Sequence, residues 1–215
     1  MKKVAVILSG CGVFDGSEIH EAVITLHAIE KNGATWHCFA PNIEQLHVIN
    51  HASGEVSEET RNVLVESARI ARGEVQDVAL LNANDFDALI VPGGFGAAKN
   101  LTDFAINGAE CSINAHVASA CKAFAQAQKP AAYLCIAPVL MPMVYPQGVK
   151  GTIGNDADTA AAFNALGGEH IDCAVNDYVF DQQNCVLSTP AYMLANSISE
   201  AASGIEPLVE KLLTL

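Results

Sequence analysis

Three short apolar runs, each ended by a turn-forming segment, constrain the fold of this chain most strongly. Val4–Leu8 stops at Ser9-Gly10, Ala88–Val91 runs into Pro92-Gly93-Gly94, and Ala131–Leu134 ends directly at Cys135. Short runs without polar alternation are typical of strands buried on both faces, as in a parallel sheet. A more mixed run, Thr35–Phe39, ends at Pro41 and predicts a further strand.

Helical patterns separate these runs. Apolar residues recur at helical spacing from Ile19 to Ile29, and Gly33 ends that segment. Further helices are predicted near Val63–Ile70, Ile113–Ala127, Thr159–Leu166 and Ser197–Leu213, and hairpins around Ser53-Gly54 and Gln182-Gln183. Strands that alternate with helices predict an α/β fold with a parallel sheet between helical layers. No linker or repeat interrupts residues 1–215, so we predict a single domain.

The composition favours a buried core and argues against polyanionic partners. Hydrophobic residues make up 51% of the 215 positions, charged residues 16%, and the formal net charge is −13. Such a charge repels phosphate backbones and anionic lipid headgroups, so we expect neither nucleic-acid nor membrane binding.

The N-terminal apolar run has five residues, fewer than the roughly 7–15 of a signal peptide. Seven cysteines without a Cys-x-x-Cys pair then predict reduced thiols in a cytoplasmic protein. His47 and His51 are four residues apart, but no third ligand is near, so no metal site is predicted.

Cys135 is the first candidate for chemistry. A residue between a buried strand and a helix is thrust out above the sheet, as in nucleophile elbows. Pro138 suits the first turn of a following helix, whose N-terminus stabilises a thiolate, so we expect the pKa of Cys135 to be lowered. The alternative is a small buried hydrophobic residue that ends a strand.

Two further segments follow strands at the same sheet edge, where ligands of open α/β sheets bind. The adjacent Gly93 and Gly94 can point backbone N–H groups at an oxyanion, or they simply form a tight turn. Glu18, at the start of the first helix, can shuttle protons beside Cys135, or it is one of the acids common in first helical turns. Asn50 and His51 can line the site from a loop.

These segments together resemble the DJ-1/PfpI superfamily, relatives of class I glutamine amidotransferases, and within it the ElbB-type branch associated with isoprenoid biosynthesis. The matching stretches cover nearly the whole chain: 7–12, 15–20, 48–51, 91–101, 135–138, 152–154 and 189–193.

The resemblance implies a flavodoxin-like three-layer sandwich, a homodimer and a glyoxalase that needs no cofactor and converts glyoxal to glycolate. It implies a nucleophile at Cys135, a partner carboxyl at Glu18, and an oxyanion pocket from Gly93, Gly94 and the N–H of Ile136. Cys11 lies in a matching stretch and joins the candidate substrate-binding residues. The substrate would be a small carbonyl compound, attacked by Cys135 to give a hemithioacetal.

The chain also departs from related families. Protease-like relatives place a histidine directly after the cysteine, where this chain has Ile136, and the one later histidine is His170. Asn155 stands near the place of a histidine in DJ-1-type proteins. These differences argue against peptidase and glutaminase activity. A second hypothesis, from another class, is a cysteine-based redox sensor or interaction protein without turnover.

Overall fold

The computed structural model describes all 215 residues and is built around a seven-stranded sheet. The strands are β1 Lys3–Ile7, β2 Thr35–Ala40, β3 Val75–Asp77, β4 Ala88–Val91, β5 Ala131–Leu134, β8 Val179–Asp181 and β9 Val186–Thr189. Their order is β3-β2-β1-β4-β5-β9-β8, and every pair is parallel except β8 with β9. Two more strands, β6 Lys150–Gly151 and β7 Glu169–His170, form a small separate sheet.

Helices cover both faces of the large sheet. They are α1 Ile19–Lys31, α2 Val63–Ile70, α3 Phe104–Asn107, α4 Ala115–Gln126, α5 Met141–Val144, α6 Ala157–Ala165 and α7 Ile198–Thr214. Side chains of α1, α2 and α7 pack on one face, and those of α4 and α6 pack on the other. Alternate residues of β1 supply both cores, because successive side chains of a strand point to opposite faces. The predicted α/β sandwich with a mostly parallel sheet is confirmed.

The predicted elements agree with the structure to within a few residues at their ends. Both hairpins are present: Ile49 bridges Val56 around the first, and β8 pairs antiparallel with β9 around the second. The strand β3 and the small sheet β6–β7 were not predicted, because segments of two or three residues carry too little periodicity. No helix combines the length and the apolar character needed to cross a membrane.

The sheet topology brings three chain segments to one edge. The chain crosses from β1 outward to β2 and β3, and then returns to β4 on the opposite side of β1. The gap between the carboxyl ends of β1 and β4 is therefore a switch point of the kind where α/β proteins bind ligands. The loops after β1 and β4 flank this gap, and Cys135 follows β5, the neighbour of β4.

Candidate active site

Cys135 adopts a strained backbone conformation at the end of β5. Its φ is +60°, in the left-handed region that non-glycine residues rarely enter and that costs about 1–3 kcal/mol. The backbone N–H still donates to the carbonyl of Thr189 on β9 at 3.0 Å, so the strand hydrogen bonds continue up to the bend. The residue is 7% exposed. The predicted sharp turn after the strand is thus present, although the thiol lies deeper than in an open elbow.

The acid beside this thiol is Glu21, in the first turn of α1. Its carboxyl and the side chain of Cys135 both lie against Gly93, close enough for each group to shift the pKa of the other. Oε2 accepts from the N–H of Gly93 at 2.9 Å, and Oε1 accepts from the N–H of Tyr192 at 3.1 Å. The side chain is fully buried, and this burial raises its pKa from the ordinary 4.5 to about 7, with the Glu18 charge adding to the shift. Glu21 therefore changes protonation near neutral pH.

Glu18 has a different place from the one that the sequence suggested. It is the N-cap of α1, and its Oε2 accepts from the N–H of Glu21 at 2.7 Å. The preceding residue, Ser17, closes the β1 loop, because its hydroxyl accepts from the N–H of Ser9 at 2.8 Å. The structure therefore assigns contact with the thiol to Glu21, one helical turn further on. The sequence signal for Glu21 is an acidic residue on the buried face of an amphipathic helix, next to the buried Ala22. Sequence reasoning missed this signal.

The thiol is less acidic than expected. Burial, followed by the charge of Glu21, raises the pKa of Cys135 well above its ordinary value. The N–H groups of Gly94 and Ile136 lie close enough to the sulfur to oppose this shift, but they do not overcome it. The prediction that a helix N-terminus lowers the pKa of Cys135 is therefore wrong. The N–H groups near the sulfur do not offset the burial of the thiol beside an acid.

The predicted oxyanion pocket stays a prediction, and the amides near the sulfur on which it now depends are those of Gly94 and Ile136. The amide of Gly93 is not available for that purpose, because it donates to Glu21. Gly93 has a steric role instead: a Cβ there would lie 2.4 Å from the Cβ of Cys135 and 2.8 Å from Oε2 of Glu21. The absence of a side chain is what lets the acid and the thiol meet.

Three polar side chains, those of Tyr192, His20 and Glu18, form a cluster next to the Cys135–Glu21 pair. The hydroxyl of Tyr192 lies 2.9 Å from Nδ1 of His20, which is also 3.9 Å from Oε1 of Glu18. The backbone of Tyr192 holds Glu21, so the cluster joins the loop after β9 to the start of α1. Sequence reasoning did not select His20 or Tyr192, although both lie in the stretches that carry the family resemblance.

The remaining predicted residues lie apart from the thiol. Cys11 is half-buried in the β1 loop, where Glu66 and Arg69 of α2 act on its pKa, which burial raises. Asn50 and His51 line a polar pocket in the hairpin after β2.

In that pocket His51 bridges the carbonyl of Ile49 and the N–H of Phe14. Asn155 is exposed in the loop before α6. His170 accepts from the N–H of Ile153 at 3.2 Å, so it serves the small sheet. None of these residues has a contact with the Cys135–Glu21 pair in the structure.

All seven cysteines are free thiols, and no group of three or more His, Cys, Asp or Glu side chains is arranged to hold a metal ion.

Comparison with known proteins gives whole-length similarities. The chain is 47% identical to the mitochondrial ES1 protein homolog of Rattus norvegicus over 99% of its length and 84% of that protein. It is similar to an isoprenoid biosynthesis protein with an amidotransferase-like domain from Ehrlichia chaffeensis, with a TM-score of 0.93 at 36% identity, covering 100% and 99% of the two chains.

Drosophila melanogaster DJ-1beta, at 16% identity and a TM-score of 0.58 over 98% and 90% of the chains, shows the fold alone. No family model matches the chain.

These similarities overturn the expected compartment. The curated relatives, at 36–47% identity, are mitochondrial proteins, which contradicts the cytoplasmic assignment. That assignment was inferred from a short apolar N-terminus and unpaired cysteines, and reduced thiols do not identify the cytoplasm among reducing compartments.

Proposed function

Because the chain belongs to the ES1 proteins of the DJ-1/PfpI superfamily, with a class I glutamine amidotransferase-like fold, we propose that it is a cofactor-independent glyoxalase. The reaction converts glyoxal and water to glycolate. The superfamily includes glyoxalases. The observation that carries the proposal is the contact between a buried cysteine and a buried glutamate whose pKa is raised to about 7.

The first step is addition of Cys135 to one aldehyde carbon. Because the pKa of the thiol is raised, attack relies on general-base catalysis rather than on a standing thiolate. Ionised Glu21 takes the thiol proton as the carbon–sulfur bond forms. The N–H groups of Gly94 and Ile136, which already lie near the sulfur, stabilise the new oxyanion. Glu21 then gives its proton to this oxygen, which leaves a neutral hemithioacetal.

The second step moves one proton between neighbouring carbons. Glu21, ionised again, removes the proton from the carbon bonded to sulfur, and the electron pair forms an enediol. Return of the proton to the other carbon gives the glycolate thioester of Cys135. Water then attacks the thioester, the carbon–sulfur bond breaks, and glycolate leaves with the thiol restored. A carboxyl that titrates near pH 7 suits both directions of this transfer.

The redox-sensor and glutaminase hypotheses have less support. A redox sensor works best with an exposed, acidic thiol, whereas Cys135 is buried and its pKa is raised. A glutaminase triad needs a histidine beside the nucleophile, and the imidazole of His170 is engaged with Ile153. The homodimer implied by the resemblance stays a prediction, which light scattering of the purified protein tests.

The proposal is tested by measuring glycolate itself, because many protein groups consume glyoxal without forming it. Wild type is compared with Cys135→Ala, Glu21→Gln and the control Glu18→Gln. We expect the first two variants to lose about 10²-fold or more of kcat/KM, as for loss of an acid–base group. The control should lose much less, because capping α1 is worth about 1 kcal/mol. Equal glycolate production by wild type and Cys135→Ala would refute the proposal.

A further inference from the structure

An apolar cleft of 490 Å³ is lined by Ile136, the residue after Cys135, and by Phe95, the residue after Gly94. Its walls include the side chains of Phe14, Ile49, Phe95, Phe104, Ala105 and Ile136. The rings of Phe14 and Phe95 remain 40% and 49% exposed, which is unusual for large apolar side chains next to a reactive group.

The cleft is connected to the site through the chain itself. The N–H of Ile136 lies near the sulfur, and Ile136 also lines the cleft. Phe95 follows Gly94, whose N–H also lies near the sulfur. Cys135 itself does not line the cleft, so we expect only a substituent of the substrate, and not its reacting carbonyl, to occupy the cleft.

The cleft is held open by its own contacts. Lys99 donates from Nζ to the carbonyl of Phe14 at 2.8 Å and lies 5.5 Å from the centre of the Phe95 ring. His51 stacks behind Phe14 with ring centroids 5.0 Å apart. Each of the two phenyl rings thus has a contact in the free protein that restricts its motion, and such restriction lowers the entropic cost of binding.

The size of the cleft does not match glyoxal. Glyoxal has four heavy atoms and no apolar substituent, whereas pockets of about 300–1,000 Å³ accept ligands of drug size. We propose that the preferred substrates are α-oxoaldehydes whose ketone carbon bears an aryl or other bulky apolar group, and that this group occupies the cleft between Phe95 and Ile136. This inference rests on the proposed function and names its substrate class.

The reaction of such a substrate has a stereochemical consequence. With phenylglyoxal, Cys135 adds to the aldehyde carbon, and Glu21 moves the proton from that carbon to the former ketone carbon. Hydrolysis of the thioester by one water gives mandelate. The cleft fixes one face of the substrate toward Glu21, so one enantiomer should dominate.

The turnover experiment compares phenylglyoxal with glyoxal in wild type, Ala105→Phe and Ile106→Phe. Ala105 and Ile106 are adjacent, exposed positions of α3, but only the first lines the cleft. We expect kcat/KM for phenylglyoxal to exceed that for glyoxal at least tenfold in wild type. Ala105→Phe should lower this ratio at least tenfold, and Ile106→Phe should leave it within twofold. A wild-type ratio of one or less, racemic mandelate, or equal ratios in all three proteins would overturn the inference.

A binding experiment separates this inference from the proposed activity. Mandelate and glycolate are titrated into Cys135→Ala by calorimetry, with and without Ala105→Phe. We expect mandelate to bind at least tenfold more tightly than glycolate, and the second substitution to remove the difference. Tight mandelate binding without any glycolate production by wild type would refute the glyoxalase and keep the cleft assignment. Glycolate production without preferential mandelate binding would refute the cleft assignment alone.

Discussion

The buried carboxyl of Glu21 should impose a pH dependence on stability that one substitution removes. The folded state raises the pKa of Glu21 from 4.5 to about 7, so folding disfavours its ionised form. Below pH 4.5 the group is neutral in both states and has no effect. Between pH 4.5 and 7 the unfolded chain releases the proton first, and stability falls as the pH rises. Above pH 7 the cost is constant at about 3 kcal/mol, from 1.36 kcal/mol per pKa unit.

The assay is urea denaturation of wild type and Glu21→Gln at pH 5, 6, 7 and 8. The free energy of unfolding of the variant minus that of wild type should increase by roughly 2–3 kcal/mol from pH 5 to pH 8. Loss of one hydrogen bond to Gly93 or Tyr192 shifts this difference curve by a constant and leaves its slope unchanged. Val23→Ala, a half-exposed apolar position on the same helix, is the control and should give a flat difference curve. A flat curve for Glu21→Gln would refute the burial argument.

Three further predictions concern the same contacts. Glu21→Gln should move the midpoint of the pH profile of Cys135 alkylation by iodoacetamide to lower pH, because removal of the Glu21 charge lowers the pKa of the thiol; an unchanged or higher midpoint in intact-mass spectra contradicts this. Gly93→Ala should abolish glycolate formation and lower the thermal midpoint, because its Cβ would overlap the Cys135 Cβ. Gly33→Ala, whose Cβ meets open space, should cost about 1 kcal/mol of backbone strain, and an equal loss in both proteins would refute the steric argument. Tyr192→Phe should change stability by less than about 1 kcal/mol in urea titrations, because it keeps the backbone N–H that holds Glu21; a larger loss would show that the hydroxyl supports the site.

The sheet was predictable because its strands are short, apolar and sharply ended. Ala88–Val91 and Ala131–Leu134 were predicted with the bounds that the structure shows. Such runs can be recognised from the local sequence alone, and so can the position of Cys135 at the end of one of them. The order of the strands, by contrast, is set by long-range packing, which cannot be inferred from any single segment.

The choice between Glu18 and Glu21 shows the limit of local reasoning about the site. Glu18 and Glu21 both lie at the start of α1, and dipole and capping arguments favour Glu18, which is indeed the N-cap. The contact with the thiol is decided by which face of the helix meets β4 and β5, and Glu21 lies on that face. Likewise, the burial that raises the pKa of Cys135 arises from two cores that meet at the bend, which sequence spacing does not reveal.

The stability cost of the pair argues for a chemical role. Glu21 has a structural explanation, because its two oxygens join the loops after β4 and β9 to α1 through Gly93 and Tyr192. Those hydrogen bonds already lower its pKa, yet the value remains near 7, so the ionised form is disfavoured even with both amides in place. Cys135 adds a left-handed backbone worth about 1–3 kcal/mol, which glycine would relieve. Two neighbouring residues that each oppose folding are better explained by the reaction proposed for them than by packing, and this reasoning fails if Glu21→Gln and Cys135→Gly leave glycolate formation intact.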